Sequence, residues 1–157
     1  MLFILSSNQL ILFSGPSYSL YTVPEMFNSG WFYPLGHSFE FSLQGCQSAK
    51  IQFAATPFKQ DSEGFTIILG DVSKITNYQG DTELISVSTP NLLHCLALRK
   101  YWISWADGLR VGTGKVNFNQ ILEHRDPNQI NLVALSLQTS STQSTELEWL
   151  INKRSGT

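Results

Sequence analysis

The chain has 157 residues, of which 42% are hydrophobic and only 14% charged, with a formal net charge of −2. That length suits one domain that buries about 68–70% of its unfolded surface, and the charge balance excludes a disordered polyelectrolyte or a nucleic-acid-binding surface. No run reaches the ~18 apolar residues of a membrane-spanning helix, so neither nucleic acid nor membrane is expected as a partner.

The opening stretch MLFILSSNQLILFSG is apolar but has no positive start, and SSNQ interrupts it. Residues 1–17 therefore read as a leader-like segment or a first strand, and residues 18–157 as the domain itself. From Ser38 the pattern has period two: Phe39, Phe41 and Leu43 share a face, and Ile51 and Phe53 resume the alternation after GCQSAK, which predicts a hairpin. GFTIILGD is a β-branched run closed by Gly70, and TELISVST alternates until Pro90 ends it. In NLLHCLALRK the leucines do not alternate, which leaves a helical turn open there.

Next comes KYWISWADGLRVGTGK, with Tyr101, Ile103 and Trp105 facing one way and Leu109 and Val111 pairing back. Asp107-Gly108 between two alternating runs predicts a hairpin with a type I′ turn, which needs positive φ at both central residues. The glycines and Lys115 invite comparison with a phosphate-binding loop. That loop requires G-x-x-x-x-G-K-[ST] running into a helix. Here its first glycine position is Leu109 and Lys115 is followed by Val116, so the glycines read as hairpin punctuation. INLVALSLQTS and ELEWLIN add further strands, the latter with Leu147, Trp149 and Ile151 on one face. Seven to ten short strands without a long amphipathic helix predict an all-β antiparallel sandwich or jelly roll in a single domain.

Few chemistries find their residues on this scaffold. There is no G-x-S-x-G elbow, and His37, His94 and His124 lie too far apart for a local metal motif. The His94-Cys95 pair reads as core packing. GDVSKITN lacks the dense oxygen spacing of a calcium loop, and no glycine loop joins a strand to a helix as dinucleotide or adenosyl-methionine binding would need. No catalytic residue, metal or cofactor is expected. Cys46 and Cys95, the only cysteines, leave open either one disulfide or two buried thiols.

What remains suits sugar recognition, in which an aromatic ring covers the apolar C–H face of a pyranose while carboxylates and amides accept its hydroxyls. Trp31, Trp102, Trp105, Trp149 and Tyr78 supply rings, and Asp71, Asn77, Asp107, Asp126 and Asn128 supply acceptors in predicted loops. Trp102 and Trp149 read as core, Asp107 as a turn former and Asp126 before Pro127 as the start of another turn. The expected carbohydrate-binding set is Asp71, Asn77, Tyr78, Trp105 and Asp126.

The blocks FSLQGCQSAKIQFAA, FTIILG, STPNLLHCLALRKYWISWADGLRVG, ILEHRDP and ELEWLI, in this order across residues 37–151, resemble the farnesoic acid O-methyltransferase-like domain family. Thr89-Pro90, Tyr101-Trp102, Trp105, Val111-Gly112, Asp126-Pro127 and Trp149 carry the resemblance, while Asp71-Val72 and His124 depart from the family's Gly-Trp and Trp. The resemblance implies an extracellular, lectin-like β-sandwich module that binds glycans, with homo-oligomers adding avidity. Two other readings stand beside it: methyl transfer, on the family's name alone, and a protein-interaction domain whose edge strand TELISVST pairs with a partner.

Overall fold

The computed structural model describes residues 2–6, 9–13, 31–32, 36–45, 48–56, 61–125, 132, 134–139 and 148–151. Among them are thirteen strands and no helix: β1 (Leu2–Ser6), β2 (Gln9–Phe13), β3 (Trp31–Phe32), β4 (Ser38–Gln44), β5 (Ala49–Ala54), β6 (Gly64–Leu69), β7 (Val72–Asn77), β8 (Glu83–Ser88), β9 (Arg99–Ser104), β10 (Leu109–Thr113), β11 (Gln120–His124), β12 (Ala134–Thr139) and β13 (Glu148–Ile151). They form a seven-stranded sheet in the order β11-β10-β9-β4-β13-β1-β2 and a six-stranded sheet in the order β3-β12-β5-β6-β7-β8. Every pairing is antiparallel. The all-β sandwich is therefore as expected, but its strands exceed the seven to ten predicted. The leader-like opening supplies two of them, paired Phe3↔Leu12 and Ile4↔Ile11.

Period-two alternation decides which face each strand buries. On the seven-stranded sheet Phe39, Phe41, Leu43, Tyr101, Ile103, Leu109, Val111 and Leu122 turn inward. On the six-stranded sheet Ala49, Ile51, Phe53, Phe65, Ile67, Leu69, Ile75 and Leu135 answer them in the same cluster. Register aligns the large members, pairing Phe41 with Tyr101 and Phe53 with Phe65. The Phe39, Phe41 and Tyr101 rings stack in a row with centroids 5.7 and 5.6 Å apart. Each such side chain contributes about 1.5–3 kcal/mol by leaving water.

The Tyr101 hydroxyl donates to the Leu92 carbonyl at 2.6 Å, and burial pushes its pKa up to about 12. The unfolded value is about 10. The stabilisation is therefore complete below pH ~10 and is lost as the pH rises through ~12. Alkaline unfolding of the native chain should steepen across that window, and Tyr101→Phe should flatten it while costing about 1–2 kcal/mol at neutral pH. Urea midpoints measured from neutral to strongly alkaline pH check this.

One question left open by the sequence is decided and two local expectations are corrected. NLLHCLALRK forms no helical turn before β9. Its carbonyls are claimed by groups other than helical i+4 N–H donors, Leu92 by the Tyr101 hydroxyl, His94 by the Gly45 N–H at 3.0 Å, and Asn91 by the Arg99 guanidinium. Asn91 itself sits at φ 61°. His94 and Cys95 are exposed rather than core. Cys95 is disulfide-bonded, and Cys46 lies outside the described residues. The β9–β10 hairpin exists, but residues 105–108 form a longer connection. Gly108 at φ 74° is its only left-handed residue, so Asp107 does not take the type I′ geometry.

Candidate functional site

Strand direction sorts the loops into two ends. One end carries the β4–β5 connection, Gly70-Asp71 between β6 and β7, the β8–β9 loop and the β10–β11 hairpin tip. The other carries the β5–β6 loop, residues 78–82 between β7 and β8, and residues 105–108. Asp71 and Asn77 flank the same strand, so at ~3.3 Å per residue they stand roughly 20 Å apart. The predicted carbohydrate-binding residues therefore do not converge. Asp71 belongs to the first end; Asn77, Tyr78 and Trp105 belong to the second; Asp126 lies outside the described residues.

At the second end the polar capacity is largely spent on the loop itself. Asn77 Oδ1 accepts the N–H groups of Gly80 and Thr82 at 3.0 and 3.1 Å, and its Nδ2 donates to Asp81 at 2.6 Å. Tyr78 is buried beside Ala54 and Ala134, and burial raises its pKa. Trp105 is half-buried, its ring 4.7 Å from that of Phe53, and its backbone N–H donates to the His37 carbonyl. Next to it Phe65 meets the His124 ring at 5.4 Å.

At the first end Asp71 borders an open cleft of about 350 Å³ lined by Ser48, Ile68, Gly70, Asp71, Val72, Lys74, Glu83 and Leu93. The cleft runs along the solvent side of the six-stranded sheet. Ile68 and Lys74 are register partners there, and Val72 is 53% exposed. The turn under Asp71 is fixed from below. Ser73 and Thr89 hydroxyls lie 2.6 Å apart, and Thr89 donates to the Gly70 carbonyl at 2.6 Å. The Thr89 N–H donates to the Asp71 carbonyl at 2.8 Å, while among the described residues the Asp71 carboxylate accepts only the Asn91 N–H, at 3.4 Å. A short carboxylate on a braced turn, with hydroxyl, ammonium and second carboxylate around an aliphatic floor, can accept vicinal hydroxyls and cover a C–H face. Of this cleft the sequence reading found Asp71 alone. Lys74, Glu83, Ser48 and Leu93 come from four separate segments, and only the outward alternation of Val72 and Lys74 hinted at a polar face.

The solvent side of the seven-stranded sheet holds a second arrangement. Trp102 is fully buried, as expected, yet outside the inter-sheet core. Its indole lies over Gly112 of the neighbouring strand, where a Cβ would stand 2.5 Å from the ring. Its Nε1 donates to the Phe118 carbonyl at 2.7 Å. Arg110 lies over the same ring at 5.8 Å. Beside Arg110 in register is Glu123, whose pKa is lowered chiefly by the hydrogen bond from Arg125 at 2.9 Å. Among the described residues no three His, Cys, Asp or Glu side chains gather in a metal-holding group, and no helix is long and apolar enough to cross a membrane.

Against known proteins, the family model described as "Farnesoic acid 0-methyl transferase" matches residues 21–155. Two solved structures share the sandwich. One is the carbohydrate binding module CBM66 from Bacillus subtilis, 9% identical with a TM-score of 0.50 over 76% of each chain. The other is the exoplasmic/lumenal domain of VIP36 in a Ca2+/Man3GlcNAc-bound form, 11% identical with a TM-score of 0.51, covering 81% of this chain and 74% of that one. No curated protein matches the chain. At such identities the likeness is one of fold.

Proposed function

This chain belongs to the Farnesoic acid 0-methyl transferase family, and from that membership and its sandwich fold we propose that it is a carbohydrate-recognition module without catalytic activity. The observation that carries the reading is the cleft at Asp71, a braced carboxylate beside Lys74, Glu83 and an aliphatic floor of Ile68, Val72 and Leu93. A carbohydrate binding module and a lumenal domain solved in a Man3GlcNAc-bound form share the architecture, which supports the assignment. Methyl transfer fits less well. The glycines that could have formed a cofactor loop lie in a β-hairpin, and among the described residues no strand leads through glycine into a helix.

Within the predicted set we assign the hydroxyl-accepting role to Asp71, because the Asn77 amide is already engaged and the Trp105 ring already packs on Phe53. Glycans are the partners, and the domain works outside the cytosol. The disulfide at Cys95 supports that compartment, since such bonds persist under oxidising conditions. On a glycan array the native chain should retain a defined subset of oligosaccharides, and Asp71→Asn should weaken that retention about tenfold or more by removing a charged acceptor. An array without a single bound sugar would overturn the reading, and one-to-one adenosyl-methionine binding in calorimetry would put methyl transfer in its place.

A second reading rests on β8, the edge of the six-stranded sheet, where Leu84 is 38% exposed. An unpaired edge of low charge can add a strand from a partner. A mass that rises with concentration in light scattering, without sugar binding, favours that alternative.

A further inference from the structure

We infer that the β10–β11 hairpin carries a separate subsite for an acidic sugar, in which Phe118 receives the ring and Lys115 and Arg110 hold its anionic group. The inference rests on the sugar-recognition reading but uses different residues from the Asp71 cleft, on the outer side of the other sheet.

Phe118 is 60% exposed at the hairpin tip, although burying it would have stabilised the fold. The backbone holds it out at a cost. Gly114, Asn117 and Asn119 all adopt left-handed φ of 74°, 73° and 49°, and two of these are non-glycine residues, which rarely do so. The tip is closed by the Phe118 N–H donating to the Lys115 carbonyl at 3.0 Å and the Thr113 N–H to the Asn119 carbonyl at 3.2 Å. Its rear is anchored by Trp102 Nε1 on the Phe118 carbonyl. The ring is therefore presented on a pre-ordered support, which lowers the entropy lost on binding.

Cations flank it. Lys115 Nζ lies 6.0 Å from the Phe118 ring centroid. Arg110 is flattened over Trp102, with Nη2 donating to Asn117 Oδ1 at 2.7 Å, and its Nε is buried with no hydrogen-bond partner among the described residues. The carboxylate beside it, Glu123, is hydrogen-bonded by Arg125 and Gln120 and acts on Arg110 through space as a smaller effect, so among the described residues the Arg110 guanidinium hydrogen-bonds an amide rather than a carboxylate. In a chain of net charge −2, two cations beside an exposed aromatic and two amides select an anion that also has an apolar face. A carboxylated or sulfated saccharide has both.

The test is an array bearing neutral, carboxylated and sulfated oligosaccharides, read at low and high salt with the native chain, Lys115→Gln, Phe118→Ala and Asp71→Asn. The expected result is retention of carboxylated or sulfated sugars that falls with salt. Lys115→Gln and Phe118→Ala should each reduce it about tenfold, and neither should change the neutral-sugar signal or its sensitivity to Asp71→Asn. Both substitutions lie at an exposed tip, so unchanged urea midpoints report intact folding. Neutral sugars bound with no acidic sugar retained overturns this subsite alone. Acidic binding that survives both hairpin substitutions does the same, as does binding to anionic phospholipid vesicles that equals binding to the acidic sugars. No sugar of any class retained overturns both this subsite and the proposed function.

Discussion

Gly112→Ala is expected to cost about 3–5 kcal/mol, lowering the thermal midpoint on the order of 10 °C for a domain of this size. The reason lies in one close approach. The added methyl would sit 2.5, 2.5 and 2.6 Å from three atoms of the Trp102 indole, a ring with no solvent exposure to retreat into. Displacing it breaks the Nε1 bond to the Phe118 carbonyl, adding an unsatisfied buried group worth about 1–3 kcal/mol to the overpacking cost. Backbone φ plays no part, since Gly112, although it sits where the β10–β11 register shifts, is not among the left-handed glycines. A double-mutant cycle separates the causes: in a Trp102→Ala background, itself costly, Gly112→Ala should cost well under 1 kcal/mol. Equal penalties in both backgrounds, read as urea midpoints, would place the strain elsewhere.

Phe53→Ala is expected to cost about 3–5 kcal/mol as well, through a cavity rather than a clash. Phe53 is fully buried, pairs across the six-stranded sheet with Phe65 on one side and Leu135 on the other, and supports the Trp105 ring at 4.7 Å. Its removal should therefore also loosen Trp105, visible as a red-shifted, more quenchable tryptophan emission in the folded state. Trp105→Phe should abolish that spectral response while leaving the Asp71 cleft and its sugar binding intact, because the two lie at opposite ends of the sandwich. A loss of sugar binding in Trp105→Phe that matched Asp71→Asn would move the site to the Trp105 end.

Legibility varied with how local the cause was. Strands β4, β5, β6 and β8, the β9–β10 hairpin and the inward set Phe39, Phe41, Leu43, Ile51 and Phe53 were readable because side-chain alternation is a property of a few consecutive residues, whereas β7 was read as loop. The glycines near Lys115 were readable as hairpin punctuation for the same reason: the run from Leu109 through His124 forms two strands and their turn. The family could be read from separated blocks, and the match over residues 21–155 bears it out. The turn at Asp107-Gly108 went astray because the dipeptide tolerates positive φ without requiring it, and the wider connection lets Trp105 reach Phe53. His94-Cys95 went astray because its surroundings are set by the disulfide and by Gly45, not by neighbouring leucines.

By itself the chain's pattern of apolar and polar residues determined that this is an antiparallel β-sandwich and which side chains fill its core, since burial of alternate positions is the dominant stabilising term and is written in period two. Only tertiary structure decided the rest. Pairing between strands distant in sequence put Asp71 and Trp105 at opposite ends, assembled Ser48, Lys74, Glu83 and Leu93 around one cleft, and covered Trp102 with Gly112 and the Phe118 hairpin. Those neighbours are set by register and loop closure, which depend on the whole sheet rather than on any local run of residues.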